Sequence, residues 1–163
     1  MKELLKDAKK LQKELCQIRR KLHACPEVGF AVGKTKEFLK ESLEELGISS
    51  KPCGKSLVAE IGQGERVFLL RADIDGLPIR EQVTLSFAAK NGNMHACGHD
   101  LHAAMLLGAA KLLKEREKQL KGRVRLLFQA AEESLEGAKN AVENGVLESV
   151  DGAIMAHVLT NIP

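Results

Sequence analysis

From residue 56 onward, short runs of strand-forming residues alternate with segments whose apolar side chains recur at helical spacing. This alternation restricts the fold more than any other feature of the chain. Ser-Leu-Val-Ala-Glu-Ile at 56–61, Arg-Val-Phe-Leu-Leu-Arg-Ala at 66–72, Val-Arg-Leu-Leu-Phe-Gln at 124–129 and Gly-Ala-Ile-Met-Ala-His-Val at 152–158 read as strands. The Gly-Gln-Gly-Glu turn at 62–65 predicts that the first two form a hairpin. Helices are predicted from Leu101 to Lys118, with Asp100 as cap, and from Glu136 to Asn144. Upstream, Leu4, Ala8, Leu11, Leu15, Ile18 and Leu22 form one stripe on a helix that ends before Pro26. A further helix runs from Thr35 to Leu46 and stops at Gly47. The succession predicts an α/β domain, a mixed sheet covered by helices on both faces, with functional groups where strands end.

At 163 residues, 44% hydrophobic and 29% charged, the chain has the composition of one ordinary globular domain. The net charge of +3 is too small to predict a polyanionic partner, although residues 1–24 hold eight basic and three acidic side chains. With no Trp, no Tyr and five Phe, it lacks stacking platforms for single-stranded nucleic acid. No run approaches the roughly 20 apolar residues that cross a bilayer, and the amino terminus has no signal-peptide core, so no membrane partner and a cytoplasmic address are expected. Cys16, Cys25, Cys53 and Cys97 are spaced irregularly, which suits reduced thiols or a metal ligand.

The densest chemistry is Met-His-Ala-Cys-Gly-His-Asp-Leu-His at 94–102, which holds three of the five histidines and a cysteine. On an extended backbone Cys97 and His99 would face the same side, with Gly98 allowing close approach to an ion. Taken alone, the cluster is compatible with a redox thiol, a Cys-His pair or a metal site. The carboxylates shift the balance toward metal. Glu132 and Glu133 end the strand at 124–129, a costly place for adjacent charges unless a cation receives them. Asp73 and Asp75 follow another strand, and His157 closes a third.

Four segments together carry a specific resemblance: Arg-Ala-Asp-Ile-Asp-Gly-Leu-Pro-Ile at 71–79, His-Ala-Cys-Gly-His-Asp-Leu-His-Ala-Ala at 95–104, Leu-Leu-Phe-Gln-Ala-Ala-Glu-Glu at 126–133, and Leu-His-Ala-Cys-Pro-Glu-Val-Gly-Phe at 22–30. With His157 downstream, the chain resembles the aminoacylase and carboxypeptidase group of metal-dependent amidohydrolases, in the branch of hippurate, N-acyl-amino-acid and indole-acetyl-amino-acid hydrolases. The resemblance implies a zinc-exopeptidase-like catalytic domain. It implies Cys97, His99, Glu133 and His157 as ligands of two divalent ions, manganese or zinc first and nickel or cobalt also accommodated. Glu132 would be the general base, and Asp73 the acidic residue near the metals that orients a ligand. His95 and His102 match motif positions without an assigned role, and His23 is read as structural.

Two departures spare these residues: Ala130 stands where the family usually has proline, and Cys25 where histidine is common. The third is length. Family chains are more than twice as long, so residues 1–163 are expected to be the amino-terminal part of the catalytic domain, without the lid and dimerisation domain or a further histidine ligand. The expected substrate is a small N-acyl amino acid, and the full-length form is expected to be a homodimer or larger. A catalytically incomplete metal-binding fragment and a Cys97 thiol hydrolase are the rival readings.

Overall fold

The computed structural model describes residues 2–159; Met1 and residues 160–163 lie outside the description. Helices α1 (Lys2–Lys10), α2 (Gln12–His23) and α3 (Gly33–Glu45) precede strands β1 (Ser50–Cys53), β2 (Ser56–Gly62) and β3 (Val67–Asp73). Helix α4 (His99–Glu115), strand β4 (Arg123–Gln129), helix α5 (Gly137–Glu143) and strand β5 (Val150–Met155) follow. The strands form one mixed sheet in the order β1-β2-β4-β3-β5. One face, carrying Leu57, Ala59, Ile61, Ala72, Leu126 and Phe128, packs with Leu39 and Leu43 of α3 and Leu106, Leu107 and Ala110 of α4. The other face places Val58, Leu69 and Leu127 against Ala141 of α5 and Val146. Helices therefore lie on both faces, as expected, but only the first is thickly covered. On the edge strand β5, Ile154 and Met155 are exposed.

Four expectations about the elements need correction. The strands at 56–61 and 66–72 are not a hairpin, because β4 lies between them, antiparallel to β2 and parallel to β3. Sheet neighbours are about 4.8 Å apart, and the link over residues 63–66 is long enough to pass one strand: both Gly62 and Val67 pair with Arg123. The actual hairpin joins β2 to β1, turning at Gly54 with φ +56°. Pro52 is tolerated in β1 because it is an edge strand. The amino-terminal stripe belongs to two helices interrupted at Leu11, and α1 buries nothing, Leu4 being exposed. Asp100 does not cap α4; Gly98, with φ +87°, starts the helix, and Asp100 is buried inside its first turn. β5 stops at Met155, so His157 lies beyond the strand. By contrast, α3 ends as expected, with Gly47 at φ +69° and the Ile48 N–H donating to the Leu43 carbonyl at 2.9 Å.

Buried polar residues tie this frame to the loop that follows β3. His23 has Asp100 Oδ2 at 2.7 Å from Nδ1 and Glu81 Oε1 at 2.8 Å from Nε2. Arg19 reaches the same Asp100 oxygen at 2.6 Å. Glu81 also accepts the Ala89 N–H at 2.6 Å, so one carboxylate fastens the loop to α2. His23 is therefore structural, as read from the sequence.

Candidate metal centre

The centre forms where β3 and β4 end side by side. Past Asp73, the chain continues through Ile74, whose N–H donates to the Gln129 carbonyl at 2.9 Å, and then reaches Asp75. Leu77 and Met94 exchange backbone hydrogen bonds of 2.9 and 3.0 Å, which brings the 94–102 motif back to the same end of the sheet. Cys97 and His99 do not converge on an extended run. Cys97 lies in a turn, and Gly98 adopts a left-handed conformation that opens α4 at His99. Only a residue tolerant of positive φ makes that turn readily.

Asp75 organises both sides of the centre. Its carbonyl accepts the Nδ1–H of His99 at 2.8 Å, leaving Nε2 bare. Its carboxylate accepts the backbone N–H groups of Glu132 and Glu133 at 3.1 and 3.2 Å, which sets the direction of the chain leaving β4. His99 Nε2 lies 3.6 Å from Glu132 Oε2, 3.8 Å from Glu133 Oε1 and 3.6 Å from Asp73 Oδ1. On the open side, His157 Nδ1 donates to the Val158 carbonyl at 2.7 Å, and its Nε2 lies 3.4 Å from Cys97 Sγ.

Among the described residues, three groups bring potential ligand atoms within 4.8 Å of one another: Cys97, His99 and His157; His99, Glu132 and Glu133; and Asp73, His99 and His102. His99 is common to all three. His102 cannot offer a lone pair in this arrangement, because Nδ1 is bonded to Asp73 and Nε2 accepts the Val158 N–H. Each of the other two groups suits a divalent ion, and because both draw on the single lone pair of His99 Nε2, that nitrogen serves one ion only. His99 Nε2 and Glu133 Oε1 are buried without a hydrogen-bond partner, an expense that a cation between them removes. Ligands of one tetrahedral zinc ion lie about 3.5 Å apart for ordinary bond lengths. The 3.4 to 3.8 Å separations of these donors match that spacing.

The electrostatics agree. Burial, and then the neighbouring Glu133, push the Cys97 thiol up to about 11. Burial acts to lower His99, but hydrogen bonding to Asp75 and the charges of Asp73 and Asp75 outweigh it and raise the group. A thiol nucleophile needs the opposite, a depressed pKa, and the carboxylates of Glu133, Glu132 and Asp73 around Cys97 act against that. Burial raises Asp73, but the His102 hydrogen bond and the His99 and Arg71 charges win and hold it below the usual carboxylate range.

All four residues expected as ligands thus come together, with Glu132 beside them and Asp73 turned toward His102 and Arg71. The sequence pattern marks Asp75 and His102 as polar groups of the site but assigns neither a role. The spacing of three between His99 and His102 on a helix placed both on one face, and was the available signal.

Compared with known proteins, residues 69–163, more than half of the chain, match the model of peptidase family M20/M25/M40. The chain belongs to this family. Among curated M20 relatives, it is 48% identical over 152 residues to an N-acetyl-L-cysteine deacetylase of Bacillus subtilis, covering 90% of this chain and 36% of that protein. It is 47% identical over 146 residues to an N-acyl-L-amino acid amidohydrolase of Geobacillus stearothermophilus, covering 86% and 40%. A solved Bacillus subtilis structure, described as a dinuclear metal binding peptidase, superposes with a TM-score of 0.90 at 42% identity over 95% of this chain and 45% of its own. The chain therefore spans 36–45% of the length of these proteins.

Proposed function

We propose that this chain carries the metal-holding part of an M20 amidohydrolase that cleaves N-acyl amino acids to a carboxylic acid and an amino acid. The observation that supports it most is the bare, buried Nε2 of His99, which lies within reach of Cys97 and His157 on one side and of Glu132 and Glu133 on the other. Cys97, His99, Glu133 and His157 are the ligands, with manganese or zinc suited to the mixed sulfur, nitrogen and oxygen set. Divalent ions held by these residues would lower the pKa of water and polarise an amide carbonyl. Glu132, partly exposed and 3.6 Å from His99, takes the proton of the attacking water and returns it to the departing amine. Asp75 aims the two glutamates, and Asp73 orients the histidines.

On the edge strand, Ile154 and Met155 are exposed, which suits a sheet that is covered or paired further along β5 in a longer protein. The test runs N-acyl amino acid hydrolysis with added manganese or zinc on this chain and on a version extended through any downstream reading frame. Glu132→Gln in the active form lowers turnover by about two to four orders of magnitude with metal content retained. Cys97→Ala loses metal by elemental analysis. Full turnover in the first variant, or unchanged metal in the second, refutes the corresponding role.

A further inference from the structure

His157 sits where the sheet gives it no support. β5 ends at Met155, residues 156–159 have no regular structure, and the side chain is exposed. Something other than strand pairing must set the path that brings its Nε2 to Cys97. Two contacts meet at the next residue. The Val158 N–H donates to Nε2 of His102 at 3.0 Å. The Val158 side chain covers Gly98 so closely that a Cβ there would come within 2.5 Å of Cγ2. His102 is buried, with Nδ1 at 2.5 Å from Asp73 Oδ1. The other Asp73 oxygen receives Arg71 Nη1 at 2.8 Å. The rings of His102 and His157 meet edge to face, 4.5 Å between centroids.

These contacts permit one tautomer. An amide N–H only donates, so Nε2 of His102 must accept. The proton then resides on Nδ1, where it faces a carboxylate that only accepts. We infer that His102 is a positioning residue: by accepting the Val158 amide while tied to Asp73, it holds the segment after β5 so that His157 meets Cys97. The inference rests on the reading of His157 as a ligand, and its function lies in the path of the backbone rather than in contact with substrate.

The test uses the full chain and two variants. His102→Asn keeps a donor near Asp73 but places no acceptor at Val158, whereas His102→Gln puts an oxygen close to the position of Nε2. Amide hydrogen exchange at Val158 is measured by NMR, and Co²⁺ is titrated with its absorption spectrum recorded. His102→Asn speeds Val158 exchange about tenfold, the worth of one hydrogen bond. It weakens Co²⁺ binding roughly 10- to 100-fold, as loss of a ligand's support does. The sulfur-to-cobalt band persists while the ligand-field bands change, because His157 is displaced and Cys97 is not. His102→Gln restores both readouts toward the parent values, which a merely structural role does not require. Unchanged Val158 exchange in His102→Asn overturns the inference. So does a nitrogen-15 spectrum of the unaltered chain showing His102 protonated on Nε2, a result that stands even if neither variant folds. If the parent chain fails to bind Co²⁺ while Val158 exchange responds as stated, the metal reading falls and the anchoring of residues 157 and 158 stands.

Discussion

Asp75→Asn preserves the shape of a fully buried side chain and changes only what its outer atoms can do. Its two carboxylate oxygens accept the Glu132 and Glu133 amides at 3.1 and 3.2 Å. An asparagine keeps one acceptor and turns an NH₂ toward the other amide, so one charge-assisted bond is lost, two donors oppose each other, and the remaining bond becomes neutral. With hydrogen bonds to charged groups worth about 1.5–3 kcal/mol each, the expected loss is about 2–4 kcal/mol. That is a large share of a stability of roughly 5–15 kcal/mol. In urea, with a slope near 2 kcal/mol/M, the midpoint should fall by about 1–2 M at unchanged slope. The Asp75 carbonyl that orients His99 is untouched by the substitution, but the charge beside His99 is lost, so metal binding weakens through His99 as well as through the glutamates, and about 10- to 100-fold is expected. A midpoint and a metal affinity both equal to the parent's would show that the carboxylate does not direct the chain leaving β4.

Two other outcomes probe the frame that carries the site. Glu60 pairs across the sheet with Arg125, at 2.6 Å, and with Arg123, at 2.9 Å. Burial raises its carboxyl, but the two arginines outweigh that and lower it. A carboxyl depressed in the folded state contributes stability above its unfolded pKa of about 4.3, and that contribution is lost as pH falls through the lower folded value. Glu60→Gln should thus be less stable at pH 7, by about 1 kcal/mol or less. The gap should close in acid, and a gap that widens below pH 4 in thermal melts would contradict the pairing. Phe128 is fully buried at the centre of the thicker core. Phe128→Ala should cost about 3–5 kcal/mol in the same urea assay, and a loss under 1 kcal/mol would mean the core is not packed as described.

Much of the fold was legible because its signals are local. The helix at 33–45 and its glycine stop follow from apolar spacing and from the freedom of Gly47 to take positive φ. The strands β2, β3 and β4 follow from composition over a few residues. Their order was not legible, since a glycine-rich turn looks the same whether it joins neighbours or passes around a third strand. Likewise Asp100, which by position resembled a helix cap, is 77 residues from the His23 it holds, a separation no window can read.

The amino-acid sequence by itself determined the kinds of element, the family and the set of side chains able to bind a cation, because period, turn chemistry and ligand type are properties of neighbouring residues. Only the tertiary structure decided which atoms face inward, that His102 is occupied while His99 Nε2 is bare, and that Asp75 holds both glutamates. Those assignments depend on where lone pairs and N–H groups from different strand ends meet, and that meeting is set by how the sheet is ordered rather than by any stretch of chain.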